Sequence, residues 1–271
     1  MQLVFKKEKL AGAIRKARRL AVAFSGGVDS AFLLVTARDI LGDDTAAFIS
    51  VGLPHSRRES HGAVSLAQSL GVRYREVPTG RMSREPFTLN NKDRCYQCKK
   101  IMWAEIAAAA GEAGCLCLAD GVCADDLDEF RPGLAAGREM GVISPLAEAG
   151  LAKQEIRTLA REAGLANWDK PSTPCLATRI PYGTRLTVEI LTMVERAEDC
   201  LSDLGFSRCR VRHHGGLARI EVPADRLEIM ASPDFREKIN AEFKHIGFSH
   251  VTMDLGGYVS GSMDNLSRSN Q

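Results

Sequence analysis

The chain predicts an α/β protein, a doubly wound parallel sheet followed by a smaller C-terminal α+β domain. Three observations carry this. Short apolar runs alternate with helical stretches from Ala21 to Ala163, the rhythm of repeated βαβ units. The first run ends in Ser25-Gly26-Gly27 and opens directly into a helix, a strand-to-helix turn typical of such sheets. Past Gly183 the rhythm changes, and two alternating stretches flank Gly215-Gly216, which is a hairpin signal. The expected division is residues 1–183 for the larger domain and 184–271 for the smaller.

Taken in order, Leu3, Leu10, Ala13, Ile14 and Ala17 recur at helical spacing among lysines and arginines, which predicts a surface helix with a solvated basic face. Ala21–Phe24 is the first strand, Ala31–Leu41 a helix and Thr45–Val51 a second buried strand. A polar loop over Pro54–Arg58 leads to a helix ending near Leu70, and Val72–Val77 is a third strand. Ile101–Ala110 reads as helix, Cys115–Ala119 as a fourth strand, Leu134–Met140 as helix and Val142–Ser144 as a fifth strand. After a helix over Lys153–Ala163, the segment Asn167–Gly183 carries Pro171, Pro174 and Pro181, which exclude regular structure through most of it. The second domain reads as a helix from Thr187 to Leu204, strands over Arg208–His214 and Leu217–Val222, two short helices near 224–231 and 234–245, and a last strand over His250–Asp254.

Composition narrows the function classes. The chain has 271 residues, 45% hydrophobic and 26% charged, with a formal net charge of +2. That balance gives no field-scale attraction to nucleic acid or to a membrane, so anion recognition must come from local clusters. No run approaches the roughly 18 apolar residues needed to span a bilayer. The charged N-terminal stretch lacks the apolar core of a signal peptide. Eight cysteines in such a chain point to thiol or metal chemistry in the cytoplasm, not to a disulfide scaffold.

The residues that carry chemistry begin at Leu20–Ser30, LAVAFSGGVDS. Gly26 and Gly27 let the backbone turn tightly and approach a ligand, and the helix that follows offers unpaired N–H groups and a positive dipole end to an anion. Ser25 and Ser30 flank the turn with hydroxyls, and Asp29 either caps the helix or faces a metal ion such as Mg²⁺. No Gly-Lys-Ser/Thr follows, so this is not a Walker A loop. Cys95 and Cys98, in NKDRCYQCKK before a helix, form a lone C-x-x-C that suits zinc, an iron–sulfur cluster or dithiol chemistry. Cys175, between restrictive prolines and near Lys170 and Arg179, is either a third metal ligand or a nucleophile toward an activated carboxyl. With three protein thiolates, a [4Fe–4S] cluster would keep one iron open to an external sulfur, and Arg94, Lys99 and Lys100 would offset its charge. Cys115 and Cys117 lie in an apolar strand and read as core residues.

Four carboxylates crowd Asp125–Glu129, and Asp126, Asp128 and Glu129 are expected to contact substrate or metal, with Arg179 a further candidate substrate contact. In the hairpin, Arg208, Arg210 and Arg212 share one strand face, and a two-residue turn sets Arg212 opposite Arg219 and Arg210 opposite Glu221. Opposed arginines repel unless an anion lies between them, so Arg210 and Arg212 are candidate phosphate ligands. His213, His214, Trp103 and Trp168 are given no chemical role.

Taken together, SGGVDS, RCYQCK, DDxDExRPG, KPSTPCLATRIPYG, RVRxHxxxARIE and GYVSGSM resemble the LarE family along most of the chain. The resemblance implies a pyrophosphate-loop (PP-loop) ATP pyrophosphatase domain similar to those of NAD and GMP synthetases. It implies that ATP adenylates a carboxylate of pyridinium-3,5-dicarboxylate mononucleotide, and that sulfur then displaces AMP to give a thiocarboxylate for the nickel-pincer nucleotide cofactor of lactate racemase. Two sulfur routes are known in the family. In one, the cysteine matching Cys175 surrenders its own sulfur; in the other, three cysteines hold a [4Fe–4S] cluster that carries an extra sulfide. Cys95, Cys98 and Cys175 together match the second route. The family's phosphate-binding arginines map to Arg210 and Arg212. Cys123 stands where many relatives have Asn, which departs from the pattern. The resemblance also implies a homo-oligomer, a hexamer, acting on a small-molecule nucleotide. The alternatives are another PP-loop adenylating enzyme, for tRNA thiolation or amidation, or a non-catalytic nucleotide- or zinc-binding module.

Overall fold

The computed structural model describes residues 2–127 and 132–259. The chain packs as two compact units, residues 1–87 with 93–173, and residues 88–92 with 174–271. The segment 174–183, expected with the larger domain, thus packs with the smaller unit. The cause is visible in its side chains. Arg179 forms a two-pronged ion pair with Glu198, and the carbonyl of Thr178 accepts from Arg212, both of them residues of the smaller unit.

In the larger unit α1 (Gln2–Ala17) precedes β1 (Leu20–Ala23), α2 (Val28–Leu41), β2 (Thr45–Val51), α3 (Arg57–Ser69) and β3 (Arg73–Pro78). One-turn α4 (Glu85–Thr88) leads to α5 (Arg94–Glu112), β4 (Cys117–Ala119), α6 (Ala124–Leu127), α7 (Pro132–Glu139), α8 (Pro145–Glu148) and α9 (Lys153–Glu162). The four strands are all parallel, in the order β3-β2-β1-β4. The sheet is filled from both faces. Leu20, Val22, Leu33, Leu34 and Ile156 belong to one buried cluster, whereas Ala21, Phe48, Trp103 and Ile106 belong to another. β1 is apolar throughout because its alternate side chains enter these two cores.

Two expectations change. Val142–Ser144 is not a strand but a single parallel bridge, Ala119 to Ile143. Pro145 opens α8 two residues later and ends the extended run. The helix expected from Ile101 starts at Arg94, so Cys95 and Cys98 lie in its first two turns and not ahead of it.

The smaller unit holds α10 (Val188–Asp203), β5 (Arg210–His214), β6 (Leu217–Glu221), α11 (Leu227–Ala231), α12 (Pro233–Ile246) and β7 (His250–Met253). Its sheet runs β5-β6-β7, with β5 and β6 antiparallel and β7 parallel to β6. The hairpin turns on Gly215 and Gly216, at φ 58° and 94°. Arg212 faces Arg219 and Arg210 faces Glu221, as a two-residue turn requires. Val211, Ile220, Phe206, Phe243 and Phe248 build a core distinct from those of the larger unit. No helix among the described residues is long and apolar enough to cross a membrane.

Candidate active site

The strand order reverses between β1 and β4, so the carboxyl ends of these two strands form the switch point where parallel sheets accept ligands. The Ser25–Ser30 loop leaves β1 there, and Gly121 follows β4 there. A Cβ on Gly121 would stand 2.7 Å from the Ser30 amide nitrogen, so only glycine allows this approach. Gly26 has φ +71°, and a Cβ on it would reach 3.0 Å from the Cα of Ala63 on α3. The loop is therefore wedged between two backbones, with its N–H groups fixed in place.

Hydroxyls complete the loop. Ser30 Oγ donates to the Gly27 carbonyl at 3.1 Å and accepts from the Ser25 amide at 3.3 Å. Ser25 Oγ lies 3.2 Å from Ser30 Oγ and accepts from the Gly27 amide. Asn167 Nδ2 donates to the Gly26 carbonyl, and Lys170 pairs with Glu59 of α3 at 2.8 Å. Asp29 does not cap α2, whose N-cap is Gly27. Its Oδ2 instead pairs with Lys153 of α9, and its Oδ1 is buried without a hydrogen-bond partner among the described residues. An orphaned carboxylate oxygen beside an N–H-lined loop fits a divalent cation that accompanies phosphates.

The acidic loop is only partly as expected. Asp128 and Glu129 lie outside the described residues. Asp126 Oδ2 accepts from the amide and the thiol of buried Cys123, at 3.0 and 3.2 Å, and burial together with Asp126 pushes that thiol up to about 11. Asp125 accepts from the Lys153 amide at the start of α9. These two carboxylates shape the turn that brings Lys153 to Asp29. Asp120 went unnoticed in the sequence, although an acid closing a buried strand was the signal. Burial pushes its carboxyl up, opposed by hydrogen bonds from Ser144 and the Val122 amide.

The second cluster stands at the carboxyl ends of β2 and β3. Cys95 is exposed and Cys98 half-buried, three residues apart and so on one face of α5. Arg81 reaches Cys98 Sγ at 3.3 Å, Ser50 Oγ at 2.7 Å, Thr79 Oγ1 at 2.6 Å and His55 Nε2 at 3.1 Å. Burial and the Arg81 and Lys99 charges hold His55 down to about 3, so it is neutral, accepts through Nε2 and keeps its proton on Nδ1. Lys99 lies over the Trp103 ring, and Lys100 contacts Tyr96 and Glu139. Among the described residues no three His, Cys, Asp or Glu side chains are gathered to hold a metal ion, so the pair alone is an incomplete ligand set. Two thiols on one helix face, with a guanidinium on one sulfur, are nonetheless a donor set that suits an anionic iron–sulfur group.

In the smaller unit, half-buried Cys175 opens a 3₁₀ turn, Leu176–Arg179. Its carbonyl accepts from Thr178 Oγ1 at 2.8 Å, the Thr178 amide at 3.0 Å and Arg179 Nη1 at 3.0 Å. Arg179 is 1% exposed and grips Glu198 through two contacts of 2.9 Å. Burial works against its charge, but Glu198 more than offsets this and raises its pKa. It is a strut under Cys175. The hairpin arginines do not need an external anion to relieve repulsion. Arg212 is buried and holds Glu221 at 2.7 and 3.0 Å, while Arg219 pairs with Asp254 at 2.6 Å. Half-buried Arg210 lies over the Tyr258 ring and donates to the Cys209 carbonyl. All eight cysteines are free thiols.

The pyridinium-3,5-bisthiocarboxylic acid mononucleotide synthase of Lactiplantibacillus plantarum is 37% identical over 263 residues, covering 97% of this chain and 95% of its own length. The chain belongs to the LarE family. As a member of that family it is a sulfurtransferase. A Synechocystis protein described as uncharacterised is 38% identical over 92% of both chains, and one from Methanocaldococcus jannaschii is 28% identical over 90% of this chain and 92% of its own. No protein-family model matches the chain.

Proposed function

We propose that this LarE-family enzyme uses ATP to convert a carboxylate of pyridinium-3,5-dicarboxylate mononucleotide into a thiocarboxylate, a step toward a nickel-pincer nucleotide. The observation that carries the reading is the Ser25–Ser30 loop, locked by Gly121 at the β1/β4 switch point. Its N–H groups and the α2 dipole suit the leaving pyrophosphate. Asp29 would hold Mg²⁺ through its orphaned Oδ1, and Lys153 would help neutralise the phosphates.

The substrate carboxylate attacks the α-phosphorus of ATP, the bond to the β,γ-pyrophosphate breaks, and an acyl adenylate forms. Sulfide then adds to the acyl carbon, AMP leaves with the C–O bond pair, and one proton is released. Cys95, Cys98 and Cys175 would hold a [4Fe–4S] cluster, which when bound would supply the sulfide. Arg210 is the hairpin guanidinium better placed for the substrate phosphate, since Arg212 is already engaged by Glu221 and Thr178. Asp126, Asp128 and Glu129 complete the nucleotide contacts in this reading. Assembly as a hexamer in the cytoplasm belongs to it as well.

The test is pyrophosphate release on adding the dicarboxylate nucleotide to protein reconstituted with iron and sulfide under anaerobic conditions. Release that depends on that nucleotide, a brown protein, and loss of colour in each of Cys95→Ser, Cys98→Ser and Cys175→Ser are expected. ATP binding without nucleotide-dependent release would sink the reading. A mass loss of one H₂S at Cys175 after a single turnover would replace the cluster with the sacrificial route.

A further inference from the structure

Arg81 is 1% exposed, yet none of its four side-chain partners is a carboxylate. Thr79 and Ser50 offer neutral hydroxyls, and His55 accepts as a neutral ring. Among the described residues no carboxylate pairs with this guanidinium. A buried charge without a counter-charge is costly, and proteins retain one where an anion completes the site. Cys98 is the one partner whose atom becomes anionic on binding metal, since a coordinating thiol is deprotonated outright. Thr79 anchors Nε, Ser50 anchors Nη2, and Nη1 is shared between His55 and the sulfur.

We propose that Arg81 is the positioning residue of the iron–sulfur site: its N–H···S bond orients the Cys98 sulfur, and its buried charge offsets the cluster's negative charge. The inference rests on the cluster reading above. Hydrogen bonds to sulfur and local charge set both retention and reduction potential in such sites. Thr79, Ser50 and His55 act one step further out, fixing the direction of the planar guanidinium without adding charge.

The experiment compares wild type, Arg81→Gln and Arg81→Lys after anaerobic reconstitution. It measures iron retained against a chelator, the midpoint potential by spectroscopic titration, fold by circular dichroism and ATP binding. Arg81→Gln is expected to weaken iron retention about 10- to 100-fold and to lower the potential, because a buried cation stabilises the reduced, more negative cluster more than the oxidised one. Arg81→Lys, which keeps the charge but loses the planar donor, is expected to fall between. A folded variant that matches wild type in both iron and potential overturns the proposal. If the Gln variant fails to fold, the Lys variant decides alone. Wild type that takes up no iron overturns the cluster reading and this inference with it; wild type with iron and indifferent variants overturns this inference only.

Discussion

At the scale of single residues, the tightest constraint is Gly121. Its missing Cβ leaves 2.7 Å to the Ser30 nitrogen, a distance at which a methyl group must displace backbone. Gly121→Ala is expected to cost about 1–3 kcal/mol of stability, as overpacking does, and to weaken ATP at least about tenfold, since 1.4 kcal/mol is one decade. Calorimetric titration with ATP checks it, and wild-type affinity would contradict it. His55 gives a second prediction, in pH. An unfolded histidine takes its proton near 6.5, whereas folded His55 takes one only near 3. Its contribution is therefore complete above pH 6.5 and is lost as pH falls toward 3. Between pH 6.5 and 5, before most carboxylates titrate, His55→Asn should flatten the decline of unfolding free energy by up to about 1.4 kcal/mol per pH unit. Equal slopes would contradict a neutral His55. These residues also mark what sequence reveals. SGGVDS and the cysteines were legible because their residue types are rare and their spacing is local. Arg81 was not: it sits in an ordinary Gly80-Arg81 loop, and its role arises only when β2, β3 and α5 converge on one guanidinium.

At the scale of elements, the alternation of apolar runs and helices foretold β1 to β4 and the register of the β5–β6 hairpin, because both follow from periodicities of two and 3.6 residues. Val142–Ser144 misled because apolar content cannot distinguish a strand from a single bridge cut short by Pro145. The hairpin arginines show a subtler limit. Cross-strand pairing was readable, but Glu221 reaching diagonally to Arg212 and Asp254 reaching Arg219 depend on side-chain direction and on β7. The ion pairs themselves differ in worth by burial. Arg75–Glu112 is exposed on both sides, 46% and 65%, and Glu112→Gln should change stability by less than about 1 kcal/mol. Arg179–Glu198 is 1% and 16% exposed. Glu198→Gln strands a buried guanidinium and should cost about 3 kcal/mol, besides loosening the turn that carries Cys175. Urea unfolding of the two variants side by side makes the comparison, and similar losses would refute the assignment of Arg179 as a strut.

At the scale of the whole molecule, the two units have separate hydrophobic cores and, on the proposed reading, separate duties. The larger carries the phosphate loop, Asp29, Lys153 and the Cys95/Cys98 pair. The smaller carries Cys175 on its Arg179 strut and the arginine hairpin. That division predicts where each ligand slows amide hydrogen exchange, which reports local opening free energy. ATP with Mg²⁺ should protect residues 25–31 and 120–124, where backbone N–H groups converge on the switch point. At 100 times its dissociation constant the stabilisation is about 2.7 kcal/mol, or roughly a hundredfold in exchange rate for amides that exchange through the opening it suppresses. The dicarboxylate nucleotide, added alone, should instead protect 209–214, because its phosphate is assigned to the hairpin. In Arg210→Ala the second footprint should vanish while the first stays intact. Protection by ATP at the hairpin and not at the loop would overturn the assignment of duties, whatever the sulfur source proves to be.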